Sequence, residues 1–247
     1  MATIQVGLRV AAVGALALSC AAASAGSKTI RFNDYDGNEF NDPAYSFQGA
    51  VGAAVPIDVG AYAGLGAPGV VFSGQMLWDN GPLGDSGMGG SFTNLPLGGT
   101  VSFSFLMAAI DGWAGNNVSK GGPDRFQLLI NGNLAWSTAI SNFTLTSNNG
   151  GRLAGSGMLG GNPRLTDSAW DFTNEPMLQN IAYTGTTLNF AFRAAGDGWE
   201  GGPHETWGVD NFRVVLNAPA VPEPATTALW LAGAGCVGLL ARRRRRA

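Results

Sequence analysis

The chain has 247 residues, of which 13% are charged, and its formal net charge is −3. Residues 26–218 carry eight basic and sixteen acidic residues, a local net charge of −8. An acidic domain repels phosphate backbones, so nucleic-acid binding is excluded as a function. The chain has one histidine and two cysteines, Cys20 and Cys236, both in the terminal segments. A zinc site and a disulfide framework in residues 26–218 are therefore excluded as well.

The first 25 residues have the pattern of a secretory signal peptide. Arg9 supplies a positive charge, residues 10–18 form an apolar run, and Ala23-Ser24-Ala25 is a small-residue cleavage pattern. A lipoprotein signal that uses Cys20 is the alternative, but the residues before this cysteine fit a lipobox poorly. Cleavage would leave residues 26–218, which are enough for one domain with a hydrophobic core.

Residues 26–218 predict an all-β domain, because short alternating runs are separated by Gly, Asn and Pro and no long helical pattern occurs. The predicted strands are Thr29–Asn33, Val70–Leu77, Thr100–Ala108, Arg125–Ile130, Leu134–Phe143, Leu188–Arg193 and Gly208–Leu216. Asn131-Gly132 predicts a hairpin turn, since both turn positions favour positive φ. Residues 148–161 are predicted to be a loop, and Asp167–Gln179 to carry one helical turn.

An internal repeat relates residues 101–131 to residues 187–217, which align at a constant offset of 86 without a gap. Each copy is a strand, a loop that begins Asp-Gly-Trp, and an Asp that opens a second strand. In the second strands Phe126, Leu128 and Ile130 share one face, as do Phe212, Val214 and Leu216. Two copies are too few for a solenoid, so they predict two strand–loop–strand units inside one sandwich.

Two stretches of the repeat resemble the "GPD-F…NG" and "DESWGIDN" signatures of secreted bacterial β-sandwiches. They are Gly122–Phe126, continued to Asn131-Gly132, and Glu205–Asn211. The last strand is also similar to that of galactose-binding-like jelly rolls. The resemblance implies a single jelly-roll-like β-sandwich in which an Asp entering the last strand ligates a structural calcium. His204 stands where an acidic residue is usual, which weakens any ion site that would use this position.

Calcium prefers six to eight oxygen ligands, and two parts of the chain offer them. Asp34, Asp36 and Glu39 surround a glycine turn near the first strand, and Asp210 opens the last strand with Glu205 nearby. Because the first and last strands of a jelly roll are commonly neighbours, these side chains are predicted to meet at one ion. The alternative is that the Asp residues cap loop amides through Asx-turns.

Catalysis is not expected, because the lone His204 lies in a loop without a nucleophile motif. The available carboxylates are Asp111, Asp124, Asp197, Glu200, Glu205 and Asp210. Two of them across a cleft would suffice for a glycosidase, which is the alternative reading. Trp113 and Trp199 are candidates for stacking on a sugar ring, against the alternative of core plugs beneath their loops. Trp207, at the start of the last strand, is predicted to be core.

The C-terminal 219–247 segment has three parts in fixed order. Val221-Pro222-Glu223-Pro224 precedes the uncharged run Ala225–Ala241, and Arg242, Arg243, Arg244, Arg245 and Arg246 follow. The run reaches ~25 Å as a helix, enough for a thin bilayer core, and the arginines favour the cytoplasmic side. The segment resembles the PEP-CTERM sorting signal, which implies processing by an exosortase, a membrane cysteine protease, near Pro222–Pro224. An ordinary C-terminal anchor is the alternative.

Together these patterns predict an exported, non-enzymatic protein of the surface or extracellular matrix of a Gram-negative bacterium. It would be anchored transiently in the inner membrane, with exopolysaccharide as the candidate ligand of its β-sandwich. A carbohydrate-active hydrolase and a purely structural surface protein are the alternatives.

Overall fold

In the computed structural model, the described residues belong almost entirely to the predicted domain. They are residues 26–51, 54–79, 87–142, 152–153, 167–202 and 204–219, with 232–234, 236 and 242 in the C-terminal segment. The chain separates into two compact units, Ala25–Pro219 and Met1–Ser24 with Ala220–Ala247. The signal peptide predicted at residues 1–25 lies outside the described residues. So does most of the predicted span Ala225–Ala241, and no helix among the described residues is long and apolar enough to cross a bilayer.

Strands dominate the described part of the unit Ala25–Pro219, which confirms the predicted all-β class. The strands are β1 Ser27–Asn33, β2 Glu39–Asn41, β3 Phe47–Val51, β4 Val55–Asp58, β5 Gly66–Ala67, β6 Val70–Val71, β7 Gln75–Asp79, β8 Gly87–Phe92, β9 Thr100–Asp111, β10 Arg125–Ile130, β11 Asn133–Ala139, β12 Arg152–Leu153, β13 Ser168–Asp171, β14 Ile181–Ala182, β15 Leu188–Ala195 and β16 Glu205–Asn217. Short 3-10 helices occupy Gly60–Tyr62, Val118–Lys120 and Pro176–Leu178. The last of these is the helical turn predicted within Asp167–Gln179.

Two antiparallel sheets form a jelly-roll-like sandwich. The larger sheet runs β12-β13-β9-β16-β1-β2, with β14 also on β9, β7 on β16 and β4 on β7. The smaller sheet runs β11-β10-β15-β8-β3. The first and last strands are hydrogen-bonded neighbours, with Ser27 opposite Asn217 and Asn33 opposite Phe212. The expectation that the two ends of the domain meet in one sheet is therefore confirmed.

Strand β9 explains why a simple alternating pattern does not describe the larger sheet. Phe103, Phe105 and Met107 face the main core between the sheets. Leu106 and Ile110 face a second apolar cluster, which residues 59–76 cover on the other side of the sheet. A strand buried on both faces reads as a continuous apolar run. Each large apolar side chain buried in this way contributes about 1.5–3 kcal/mol to folding.

The predicted strand Val70–Leu77 is two strands in the structure, β6 and β7, with a break at residues 72–74. Phe72 turns into the second apolar cluster with 1% exposure. Gly74 has φ +49°, and a Cβ there would lie 2.0 Å from Asp36 Oδ1. Only glycine fits this close approach without strain, so the sequence run is interrupted for a packing reason.

The internal repeat crosses between the sheets in opposite directions. The first copy runs from β9 in the larger sheet to β10 in the smaller sheet, and the second from β15 in the smaller sheet to β16 in the larger. Strand β9 pairs with β16, and β10 pairs with β15. The predicted inward faces are confirmed, since Phe126, Leu128, Val214 and Leu216 are nearly fully buried. Two strand–loop–strand units thus lie inside one sandwich.

Candidate functional site

The two Asp-Gly-Trp loops of the repeat meet at one end of the sandwich. The ring centroids of Trp113 and Trp199 lie 4.8 Å apart, and the rings are 0% and 5% exposed. Trp113 Nε1 donates to the carbonyl of Thr206 at 2.7 Å, so its polar atom is satisfied inside the core. Neither ring face is accessible to a sugar, and the stacking prediction for Trp113 and Trp199 does not hold in this structure. Both side chains belong to the hydrophobic core, and so does Trp207, with 1% exposure.

Beneath these loops Asp124 and Glu205 form a buried carboxyl pair. Glu205 accepts from the Glu200 amide at 2.7 Å, and Asp124 accepts from the Ala114 amide at 2.5 Å. The two carboxyls face each other closely enough to share one proton. Burial raises the pKa of Glu205 to about 8 and also raises the pKa of Asp124 above its ordinary value. Burial therefore favours a pair that holds one proton at neutral pH.

This pair does not have the arrangement of a glycosidase. Asp124 is 0% exposed and Glu205 is 4% exposed, so neither faces an open groove. Glycosidase carboxyls are separated by about 5–10 Å to leave room for a sugar and a water. His204 is exposed, and its carbonyl accepts from the Gly112 amide at 2.9 Å. The described loops therefore use these groups to hold one another together.

A second acidic cluster lies further along β16, at the register shift that follows Asp210, where Asp210 and Asp36 accept hydrogen bonds from the same residue. The Ser73 amide donates to Asp210 Oδ2 at 3.1 Å, and the Ser73 hydroxyl donates to Asp36 Oδ2 at 2.9 Å. Asp36 also accepts from the Gln75 amide at 2.5 Å. Burial, opposed by the Ser73 and Asn211 amides and reinforced by Asp36 and Asp34, raises the pKa of Asp210 to about 7.

The remaining predicted ligands are engaged elsewhere. Asp34 accepts from the amides of Asp36 and Asn38 at 3.0 Å each, which is the Asx-turn alternative. Glu39 forms an ion pair with Arg31 on β1. Glu205 lies in the carboxyl pair with Asp124.

The predicted five-residue calcium set is consequently not assembled at one point. Among the described residues there is no group of three or more His, Cys, Asp or Glu side chains that could hold a metal ion. Asp36 and Asp210 are the two predicted ligands that the fold brings together. Their oxygens accept from amide and hydroxyl groups, as caps do, so the donor set does not fit a closed cation cage.

Several residues that hold these loops in place could not be identified from the sequence. Ser73, in the segment between β6 and β7, joins Asp36 to Asp210, although nothing in the local sequence marks it. Asn142 donates from Nδ2 to the carbonyls of Ala109 and Asp111, and Ser168 donates to Asn142 Oδ1 at 2.5 Å. Trp170 Nε1 in turn donates to Ser168 at 2.8 Å. The signal that could have indicated Asn142 and Ser168 is a polar residue within a buried stretch, which requires a partner.

The two sheets define the folded domain as an all-β sandwich. A tail follows this domain in the sequence. A family model described as the PEP-CTERM protein-sorting motif matches residues 220–246. The sorting signal predicted from Val221–Pro224 and the arginine block is thereby confirmed. The motif marks an exported protein that is targeted to an exosortase.

No curated protein matches the chain significantly. Among solved structures, the chain is similar to the crystal structure of Caldicellulosiruptor saccharolyticus CBM27-1 in complex with mannohexaose. The two share 15% identity over 77% of this chain and 97% of that chain, with a TM-score of 0.30.

Proposed function

We propose that this protein is a non-enzymatic component of the outer surface or extracellular matrix of a Gram-negative bacterium. It is exported by its N-terminal signal, anchored transiently through its tail and processed by an exosortase. The observation that carries the proposal is the sorting motif at residues 220–246. The burial of Asp124 and Glu205 supports a non-catalytic role, because neither carboxyl is open to a substrate.

The test is processing of the full chain in a host with its exosortase and in the same host with the exosortase gene deleted. We expect the tail to be removed only in the first host, as a mass loss measured on the intact protein. Pro222→Ala within the tetrad should prevent the loss, and Pro219→Ala just outside the matched motif should not. An identical mass in both hosts would contradict exosortase processing.

A second part of the proposal is that the outer face of the smaller sheet binds polysaccharide. Arg193 Nε donates to Gln127 Oε1 at 3.0 Å across β15 and β10, and Asn189 pairs with Asn131 along the same face. Gly87 lies opposite Arg193 on the next strand, so no side chain stands beside this end of the polar row. Amide and guanidinium groups in rows can exchange hydrogen bonds with sugar hydroxyls.

Affinity electrophoresis through gels that contain the host's own exopolysaccharide tests this surface. We expect the wild type to be retarded and Arg193→Ala or Gln127→Ala to be retarded less. Thr173→Ala, in the turn that follows β13 of the larger sheet, is the control and should migrate as the wild type. Equal migration of the wild type with and without polysaccharide would contradict polysaccharide binding by this face.

A further inference from the structure

A cavity of about 300 Å³ lies at the edge of the sandwich, between β1, β7 and β16 of the larger sheet and β3, β8 and β15 of the smaller. Its walls are mainly apolar and include Phe47, Leu77, Met88, Phe190 and Phe212. This volume is at the lower end of the range for small-molecule sites, about 300–1,000 Å³. Neither the proposed polysaccharide surface nor the sorting tail accounts for it.

Glycines on the smaller sheet leave this space open. Gly49 on β3 pairs with Gly90 on β8, and both stand in the inward-facing series with Phe47 and Phe92. The Phe47 ring lies across Gly90, where an added Cβ would be 2.4 Å from Phe47 Cε2. At Gly49 an added Cβ would meet only the Phe47 ring, at 3.4 Å and 3.7 Å. Gly49 could therefore carry a side chain, which would occupy part of the cavity.

One polar group of the cavity wall lacks a partner among the described residues. Arg31 lines the cavity and is 7% exposed, and its guanidinium carbon lies 4.7 Å from the Phe47 ring centroid. Its side-chain hydrogen bonds to Glu39 and Asn41 both leave from Nη1. The buried Nε has no hydrogen-bond partner. A buried N–H without an acceptor is costly, so a ligand oxygen at this point would be favoured.

Tyr35 supplies a second donor with a weak partner. Its hydroxyl lies 3.2 Å from the thioether of Met88, and both residues line the cavity. Burial raises the pKa of Tyr35 well above its ordinary value, so the hydroxyl keeps its proton. A thioether is a poor acceptor, and a carbonyl oxygen would replace it with a gain in hydrogen bonding.

We propose that this cavity is a binding site for a small amphiphile, an acyl or aryl group that ends in a carbonyl oxygen. The apolar part lies between Phe47, Phe190 and Phe212, and the oxygen accepts from Arg31. The charge of Arg31 is already balanced by Glu39, whose side chain is 52% exposed. A neutral amide or ester carbonyl can therefore accept a hydrogen bond from Arg31 Nε, as a carboxylate can. A sugar is disfavoured, because its many hydroxyls would lose hydrogen bonds to water against apolar walls.

The experiment uses the full chain in lipid nanodiscs and photoreactive decanoyl probes that carry a diazirine in the chain. One probe ends in a carboxylate, one in an N-methylamide, and a third is an alkyl diazirine without oxygen. After irradiation, mass spectrometry measures labelling of the peptides that contain Phe47 and Met88. We expect both carbonyl probes to label these peptides and the alkyl probe to label them at least about fivefold less, the value of one hydrogen bond.

Matched variants locate the site. Gly49→Val should lower labelling by at least about tenfold, because its three added carbons occupy the space of ligand methylenes. Arg31→Lys keeps the charge and removes Nε, and should lower labelling by the carbonyl probes to the level of the alkyl probe. Gly26→Val, where an added Cβ meets nothing within 4 Å, is the control and should label as the wild type.

Each outcome decides between stated alternatives, provided that melting curves show each variant to be folded. Stronger labelling by the carboxylate than by the amide assigns an anionic ligand, and equal labelling assigns a neutral one. Equal labelling by all three probes would overturn the role of Arg31. Labelling in Gly49→Val at the wild-type level, or none in the wild type, would overturn the cavity as a binding site.

Discussion

Trp113 and Trp199 occupy the same position in the two copies of the internal repeat, and their ring centroids are 4.8 Å apart in the core. The repeat is thus not only a sequence similarity, because its two halves are in contact through their equivalent residues. Gly198 of the second copy donates its amide to the Pro123 carbonyl of the first, and the Gly112 amide donates to the His204 carbonyl of the second. Each loop is therefore held by a backbone hydrogen bond to the other copy of the repeat.

Trp113→Ala should lower the free energy of unfolding by about 3–5 kcal/mol, because it removes a fully buried aromatic ring and leaves a cavity beside Trp199. Urea denaturation monitored by circular dichroism measures this loss. Val118→Ala in the same loop is the control, since Val118 is 76% exposed and should change stability by less than about 0.5 kcal/mol. A Trp113→Ala variant as stable as the control would contradict the burial of the ring.

Glu205→Gln should change how stability depends on pH. A carboxyl whose pKa is raised from 4.5 to about 8 on folding contributes stability below pH 4.5 that is lost as the pH rises through 8. The wild type should therefore melt at a lower temperature at pH 8.5 than at pH 6. A glutamine stays neutral and can still donate to Asp124, so the variant should melt higher than the wild type at pH 8.5.

The same melts contain the control for this prediction. Asp210, with a pKa of about 7, is unchanged in Glu205→Gln and should retain its own loss of stability between pH 4 and 7. If the wild type and Glu205→Gln lose stability in parallel between pH 7 and 8.5, Glu205 is not the titrating group.

Asp36→Ala should lower stability by about 1 kcal/mol, because the Ser73 hydroxyl and the Gln75 amide each lose an acceptor. Differential scanning calorimetry in a chelator buffer measures this effect without divalent cations. Asp58→Ala is the matched control, since Asp58 is also exposed and caps only the nearby Gly60 amide. Added calcium tests the predicted ion on the same samples. A higher midpoint in the wild type but not in Asp36→Ala supports the ion, and unchanged midpoints argue against it.

Gly198→Ala should destabilise the domain by about 1–3 kcal/mol through overpacking. An added Cβ there would lie 1.6 Å from the Gly121 carbonyl oxygen, which is backbone and cannot rotate away. Chemical denaturation compares this variant with Gly26→Ala, whose Cβ would contact nothing within 4 Å. Equal stability of the two variants would show that the loops do not approach each other so closely.

The sequence predicts the fold class because alternation and turn residues act locally. Asn131-Gly132 has φ values of 50° and 80° and joins β10 to β11, as its turn chemistry requires. One strand inside the smaller sheet was missed for a physical reason. Strand β8, with the sequence GMGGSF, is half glycine and has low β-propensity, so it is ordered by its pairing with β15 and β3.

The candidate sites were predictable only in part, because they depend on contacts distant in the chain. Burial of Asp210 follows from its place in the face of Phe212 and Val214, and the structure confirms it with 0% exposure. The Asp36–Ser73 contact and the partner of Glu205 depend on the order of the strands, which spacing does not encode. The burial of Trp113 and Trp199 could have been expected from the repeat only if the two copies were known to face each other.

The pairing of β1 with β16 has a consequence for the order of events during export. The Gly26 carbonyl accepts from the Ala218 amide at 3.2 Å, so the earliest strand to leave the translocon finds its neighbour among the final residues of the domain. Closing a loop that spans the domain is entropically costly and slow. The larger sheet can therefore close only after residue 217 has emerged, and the edge of β1 that pairs with β16 stays open until then.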